Sequence, residues 1–225
     1  QNWIGGSSLK DAVFIPPHHT GVSDLLSDLE KFWHNDDLSI PDLIRIAISH
    51  YQFETIHPFL DGNGRIGRLL IVLHLISLGI LQKPTLYISD YFEKNRPQYY
   101  DALSRVRESH DIEHWIKFFL NGVLQTAKNA RETLEKIIDL RARYESLIEK
   151  SMTLQKQKNA KELLRQMFSK PMVTTRDVES IISTTFPTAS KLIQELVDLN
   201  ILKEKTGMKK DRIFYLKEYI ELFSN

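Results

Sequence analysis

The sequence predicts a mainly α-helical protein, and three observations carry this prediction. Apolar residues recur at helical spacing through most of the chain, whereas segments with strand character are short and lie only near its two ends. Pro41, Pro58 and Gly79 fall where helical patterns begin or stop. With 225 residues and 42% apolar side chains, the chain can bury a core in one large domain or in a medium and a small one.

Composition excludes several classes of protein. The net charge of +1 argues against a uniformly basic nucleic-acid binder, and the absence of cysteine excludes disulfides and cysteine-ligated zinc. No apolar stretch reaches the roughly 18–20 residues that span a bilayer. The first ten residues lack the pattern of a signal peptide. We therefore expect a cytoplasmic protein with no membrane partner.

The elements follow in order along the chain. Residues 3–15 resemble two short strands around a Gly/Ser-rich turn, which Pro16-Pro17 ends, so a β-hairpin is predicted there. Helical spacing then predicts helices over 21–35, 39–56, 63–78, 89–95, 97–108 and 111–130, the last extending to about 149. The helix ending at Ile56 is apolar nearly all round, which is typical of a buried helix.

The C-terminal part, residues 151–225, is predicted to be a separate small domain after a catalytic domain of residues 1–150. Helices over 159–168, 175–182 and 188–199, followed by a hairpin, have the order of a winged helix-turn-helix. Such a domain could bind DNA or dock a protein, and both alternatives stay open. The side chains that bear on DNA binding are Ser190, Lys191, Gln194 and Glu195 on the last helix and Lys203, Lys205, Lys209, Lys210 and Arg212 on the wing.

The segment most informative about function lies where the second predicted helix gives way to the third. It reads His57-Pro58-Phe59-Leu60-Asp61-Gly62-Asn63-Gly64-Arg65-Ile66-Gly67-Arg68. Gly62-Asn63-Gly64 begins a helix, whose free N–H groups and macrodipole favour an anion. Arg65 and Arg68, three residues apart, suit a polyphosphate. Phe59 is expected to anchor the loop in the core.

Two further side chains complete a predicted site. Asp61 is placed to hold Mg²⁺ on bound phosphates, and His57 titrates near neutrality and could accept a proton from an attacking hydroxyl. Each residue also has an ordinary structural explanation: a helix cap for Asp61, a surface ion pair for the arginines and a buried hydrogen-bonded ring for His57. The conjunction of all of them in one loop favours the functional interpretation.

These twelve residues resemble the signature of the Fic family, His-x-Phe-x-Asp/Glu-Gly-Asn-Gly-Arg-x-x-Arg, at every fixed position. The resemblance implies a helical bundle whose hairpin flap, here 3–15, docks a target protein. It also implies AMP transfer from Mg-ATP to a Ser, Thr or Tyr hydroxyl. By it, His57 is the general base and Asp61 the Mg²⁺ ligand, and Tyr100 lies on the adenine side. The remaining implied phosphate ligands are Gly62, Asn63, Gly64, Arg65 and Arg68.

The resemblance also raises regulation and alternatives. Many members carry an inhibitory helix with the pattern Ser/Thr-x-x-x-Glu-Gly/Asn, which no stretch of this sequence matches. We expect such a helix upstream of Gln1, which leaves Arg68 free for the γ-phosphate. A homodimer is plausible by resemblance. The alternatives are a nucleotide-sensing, DNA-binding regulator and an enzyme that removes AMP.

Overall fold

A computed structural model describes residues 3–83, 86–208 and 211–223. Its contacts divide the chain into two compact units, residues 1–130 and 131–225. Helix α6 (Ile112–Ser151) contributes to both. The domain boundary predicted after residue 150 stays a prediction. Across the described part of the chain, none of the helices combines the length and apolar character that crossing a bilayer requires.

The first unit is helical, as the sequence predicts. A 3₁₀ turn at His19–Gly21 leads into the first helix. The helices before α6 are α1 (Val22–Trp33), α2 (Asp42–Ile56), α3 (Asn63–Ser77), α4 (Ile88–Lys94) and α5 (Arg96–Ser109). The prediction of a mainly α fold is confirmed, with helix ends that differ by a few residues.

Helix α2 lies at the centre of this unit. Its side chains contribute to two apolar clusters: Ile46 packs with residues of α3 to α6, and Phe53 and Ile56 pack with Leu29 of α1. The indole of Trp115 on α6 donates a hydrogen bond of 2.8 Å to the carbonyl of Ala47. This burial fixes the axis of α2 and therefore the position of the residue that follows it.

The segment 3–15 is less regular than the sequence predicts. Two strands are expected there, but the structure has a single antiparallel bridge between Ile4 and Phe14. The reason lies in the intervening turn, where the N–H groups of Ser7 and Ser8 donate to the Asp11 carboxylate, both at 2.7 Å. These residues bond to a side chain and are not available for a ladder. We call residues 3–15 the flap segment.

The second unit holds a three-stranded antiparallel sheet of order β1-β3-β2 packed with helices. Its elements after α6 are α7 (Leu154–Met167), β1 (Met172–Thr174), α8 (Thr175–Ile181), α9 (Phe186–Asp198), β2 (Lys203–Glu204), β3 (Ile213–Tyr215) and α10 (Lys217–Glu221). The sequence did not predict β1 or α10. Lys209 and Lys210, expected on the wing, lie outside the described residues.

Candidate active site

His57 is the residue that ends α2. Its backbone adopts the left-handed conformation (φ 49°), and its N–H donates to the carbonyl of Phe53 at 2.9 Å. Pro58 follows and cannot continue the helix. The ring is half-buried, and this burial lowers the pKa of His57 below its ordinary value of 6.5. The carbonyl of Glu54 acts in the opposite direction, and the positive charge of Arg107 lowers the pKa further. The ring is therefore neutral at pH 7.

The loop after His57 is closed by one side chain. Asn63, 1% exposed, accepts a hydrogen bond from the N–H of Phe59 (2.9 Å) and donates one to its carbonyl (2.6 Å). Gly62 precedes α3 in the left-handed conformation (φ 84°), which glycine adopts without steric cost. The amide side chain of Asn63 is thus occupied within the loop, so that its predicted contribution to phosphate binding falls to the backbone N–H.

Asp61 and Arg65 lie together at the surface. The Asp61 side chain is 93% exposed, and its carboxylate accepts hydrogen bonds from the Gly62 N–H (2.6 Å) and from Arg65 (3.2 Å). A surface pair of this kind contributes at most about 1 kcal/mol, so either partner can turn to a ligand at little cost. Within the described residues, no group of three or more acidic or histidine side chains could hold a metal by itself. A cation bound here would need oxygens from another molecule, as Mg²⁺ on phosphates does.

Arg68 folds back over the first turn of α3. A Cβ added to Gly64 would lie 3.0 Å from the Nη1 of Arg68 and 3.9 Å from the Oε1 of Glu54, so both groups lie over the same glycine. Arg68 makes no ion pair within 4.0 Å with a carboxylate among the described residues. The guanidinium, partly exposed beside the start of a helix, is placed to meet an anion there.

Polar groups lie beneath the motif, in the interior. Glu54 is 6% exposed, and burial raises its pKa from 4.5 to about 7, against the charges of Arg68 and Arg107. His50 is buried beside it, which lowers the pKa of His50 to about 4, and its Nε2 lies 3.0 Å from the hydroxyl of Tyr99. Arg107 was missed, because nothing in its sequence neighbourhood distinguishes it from a surface arginine.

The aromatic side chains of Phe59 and Tyr100 are both exposed. Phe59, expected in the core, is 46% exposed, so that prediction is wrong; the ring lies at the edge of the loop, 6.5 Å from the ring of Phe53. The hydrogen bonds of Asn63, and not the Phe59 ring, hold the loop.

Tyr100 is also 46% exposed, with its ring 5.7 Å from the guanidinium of Arg96, whereas its neighbour Tyr99 is buried. The role of Tyr100 beside adenine stays a prediction.

Part of this chain is similar to known proteins. Residues 4–75 match the Fic/DOC family. The "Protein adenylyltransferase Fic" of Drosophila mojavensis is 33% identical over 127 residues, which cover 54% of this chain and 24% of that protein. A "Probable protein adenylyltransferase" of Aquifex aeolicus (strain VF5) is 34% identical over 97 residues, which cover 43% of this chain and 28% of that protein. This chain thus spans about a quarter of the length of these relatives.

A solved structure supports the fold. The crystal structure of a Fic family protein from Desulfovibrio desulfuricans G20 superposes with a TM-score of 0.51 at 21% identity, covering 94% of this chain and 58% of that one. At this identity the similarity concerns the fold alone. The family match covers the flap segment, α1, α2 and most of α3. Residues 4–75 are therefore the part of this chain that is similar to the Fic/DOC family.

Proposed function

We propose that this chain is a protein adenylyltransferase, which transfers AMP from Mg-ATP to a hydroxyl side chain of another protein. The observation that carries the proposal is the position of His57, at the end of a buried helix and beside a closed loop that begins α3, with a pKa that burial lowers. A base that is neutral at pH 7 and an anion-binding helix start are the two requirements of such a transfer. The names of the relatives agree with it.

The phosphates of the nucleotide would bind at the start of α3. Backbone N–H groups of Asn63 and Gly64, and that of Gly62 once the Asp61 carboxylate turns from it to the cation, would donate to them, with Arg68 and Arg65 on the β- and γ-phosphates. Asp61, whose exposed carboxylate bonds to Gly62 and Arg65, fits as the protein ligand of Mg²⁺. When bound, the cation would neutralise charge on the phosphate oxygens.

The reaction is then a single displacement. The hydroxyl oxygen of the target attacks the α-phosphorus, His57 accepts the hydroxyl proton, and the bond from the α-phosphorus to the bridging oxygen breaks, so that pyrophosphate leaves. The lowered pKa of His57 keeps the ring ready to accept this proton at neutral pH. The flap segment, whose exposed Val13 lies beside the bridge, would dock an extended stretch of the target by main-chain hydrogen bonds.

For the C-terminal unit we propose a winged helix that docks a protein and does not read DNA. The outward face of α9 supports this choice. On that face the exposed Gln194 donates to the exposed Asp198 at 2.9 Å, so that a carboxylate would face the phosphates of a duplex, and Glu195 pairs with Lys156 at 2.6 Å, which occupies a cation that could otherwise bind a phosphate. Binding to duplex DNA that weakens steeply with added salt would contradict this part of the proposal.

The experiment that tests the transfer uses ATP labelled separately on the α- and the γ-phosphate. The purified chain is incubated with Mg²⁺ and a cell lysate, beside His57→Ala and a control, His34→Ala, which removes an exposed histidine outside the motif. We expect protein label from the α-position only, absent in His57→Ala and retained in the control. ATP affinity by calorimetry should be nearly unchanged in His57→Ala. Transfer that survives in His57→Ala, or label from the γ-position, would refute the assignment.

A further inference from the structure

Arg107, in the last turn of α5, touches the flap segment. Its guanidinium carbon lies 3.7 Å from the centroid of the Phe14 ring, well inside the roughly 6 Å over which a cation is attracted to an aromatic face. The side chain is partly buried, and its Nε is shielded from solvent without a hydrogen-bond partner. Because burial strengthens such a contact, the stack of the guanidinium on Phe14 is favourable.

Phe14 is the residue through which the flap segment pairs with itself. Its N–H and carbonyl bond to Ile4, at 3.1 and 2.8 Å, and the N–H of Val13 donates to Ile4 at 2.9 Å. Asp11 closes the turn beyond them. The flap segment is therefore fixed at its tip by Asp11 and at its base by the stack on Arg107.

The charge of the same guanidinium acts on the active site. It opposes protonation of His57 and favours ionisation of Glu54, so that it lowers the pKa of both groups. Burial lowers the pKa of Arg107 itself, and the neighbouring Tyr51, Tyr99 and Glu54 oppose that effect. One side chain thus contacts an aromatic ring of the flap segment and exerts its charge on the base and on the buried carboxylate beneath the motif.

We propose that Arg107 is a positioning residue that joins the flap segment to the active site, so that a target segment paired with the flap presents its hydroxyl to His57. This inference rests on the proposed function and deepens it, because it names what aligns the protein substrate. Arg107 touches neither the nucleotide nor the reacting atoms in this arrangement. Its loss should affect docking of the target protein and leave ATP binding intact.

Hydrogen exchange tests the stack without any substrate. The variants are Arg107→Met, Phe14→Leu and the double variant, with Arg105→Met, an exposed arginine of the same helix, as control. A cation–π contact of this kind corresponds to about 2- to 30-fold in an opening equilibrium. We expect the amides of Ile4, Val13 and Phe14 to exchange faster than in the wild type by that factor in either single variant. The double variant should exchange at the same rate as the single variants, because each change alone already removes the contact. Amides of α3 should be unchanged.

Transfer kinetics give the second readout. In Arg107→Met the KM for the target protein should rise several-fold with the KM for ATP unchanged, and Arg107→Lys, which keeps the charge, should recover part of the loss. Unchanged exchange at all three flap amides would overturn the proposal, and so would a rise confined to the KM for ATP. If Arg107→Met fails to fold, Phe14→Leu, which keeps the arginine, gives the same test.

The two proposals can fail separately. A wild-type chain without transfer activity, but with exchange that responds to both single variants, would refute the adenylyltransferase and leave the stack in place. If transfer depends on His57 but exchange of the flap amides is unchanged in the Arg107 and Phe14 variants, the adenylyltransferase proposal stands and the proposal for Arg107 is refuted.

Discussion

Gly67 is the position where the structure predicts the sharpest effect of one added methyl group. A Cβ there would lie 2.4 Å from the Oε1 of Glu54, 3.1 Å from the Cε1 of His50 and 3.2 Å from the Cδ1 of Phe53. The carboxylate would have to move by about 1 Å to reach ordinary contact, and it is buried with tight neighbours on either side. Gly67→Ala therefore overpacks the contact between α2 and α3.

The magnitude follows from two opposing effects. Overpacking a well-packed interior costs about 1–3 kcal/mol. Alanine in place of glycine inside a helix returns about 1 kcal/mol. Because the approach of 2.4 Å to a buried carboxylate is far inside normal contact, the upper half of the overpacking range applies, and we expect Gly67→Ala to lower the free energy of unfolding by about 1–2 kcal/mol. If the carboxylate causes the loss, Glu54→Ala combined with Gly67→Ala should cost less than the sum of the two single changes.

Urea unfolding followed by tryptophan fluorescence is the suitable assay. Trp3, Trp33 and Trp115 all lie in the first unit, so the signal reports the unit that contains Gly67. The control is Gly64→Ala on the same helix, where the nearest atom is the flexible end of Arg68 at 3.0 Å. Because Arg68 can move aside and alanine is the better helix former, this variant should be at least as stable as the wild type. A Gly67→Ala variant as stable as this control would refute the reasoning.

Two further predictions concern the same region. Gly64→Ala should weaken ATP binding measured by calorimetry, because the added methyl group displaces the Arg68 guanidinium; unaltered affinity would argue against Arg68 as a phosphate ligand. Glu54 binds more protons in the folded than in the unfolded chain, because burial raises its pKa from 4.5 to about 7. The contribution of Glu54 to the free energy of unfolding is therefore complete below pH 4.5 and is lost as the pH rises through 7. Between pH 5 and pH 8 this loss amounts to roughly 2–3 kcal/mol. Glu54→Gln should lack this slope in unfolding experiments across that range, and an equal slope in both proteins would show that Glu54 does not titrate as described.

The sequence predicts most of the fold, because its helices carry a clear apolar period. Helix α3 begins at Asn63 as expected, and α6 extends to Ser151 along a continuous amphipathic pattern. The flap segment is predicted as a hairpin but has only one bridge, since the sequence alone does not reveal that Asp11 competes for the backbone donors. Strand β1 was missed because three residues are too few to establish a period.

The candidate site likewise has a part that the sequence predicts and a part that only the structure shows. The motif residues are contiguous, so their proximity follows from chain connectivity and the sequence suffices to name them. Arg107 and Phe14 are far apart along the chain, and only the packing of α5 brings the guanidinium over the ring. The exposure of Phe59 was not predictable either, because Asn63, and not an apolar anchor, holds the loop.

The two hydrogen bonds of Asn63 have a consequence for the energetics of ligand binding. The amide group bonds to both the N–H and the carbonyl of Phe59, as a neighbouring strand would, and so it fixes residues 59–62 through bonds within the chain itself. The entropy lost in ordering this loop is then part of folding and does not oppose association. A preorganised loop of this kind favours rapid capture of a nucleotide, with an association rate set by diffusion and charge and not by a slow closing step.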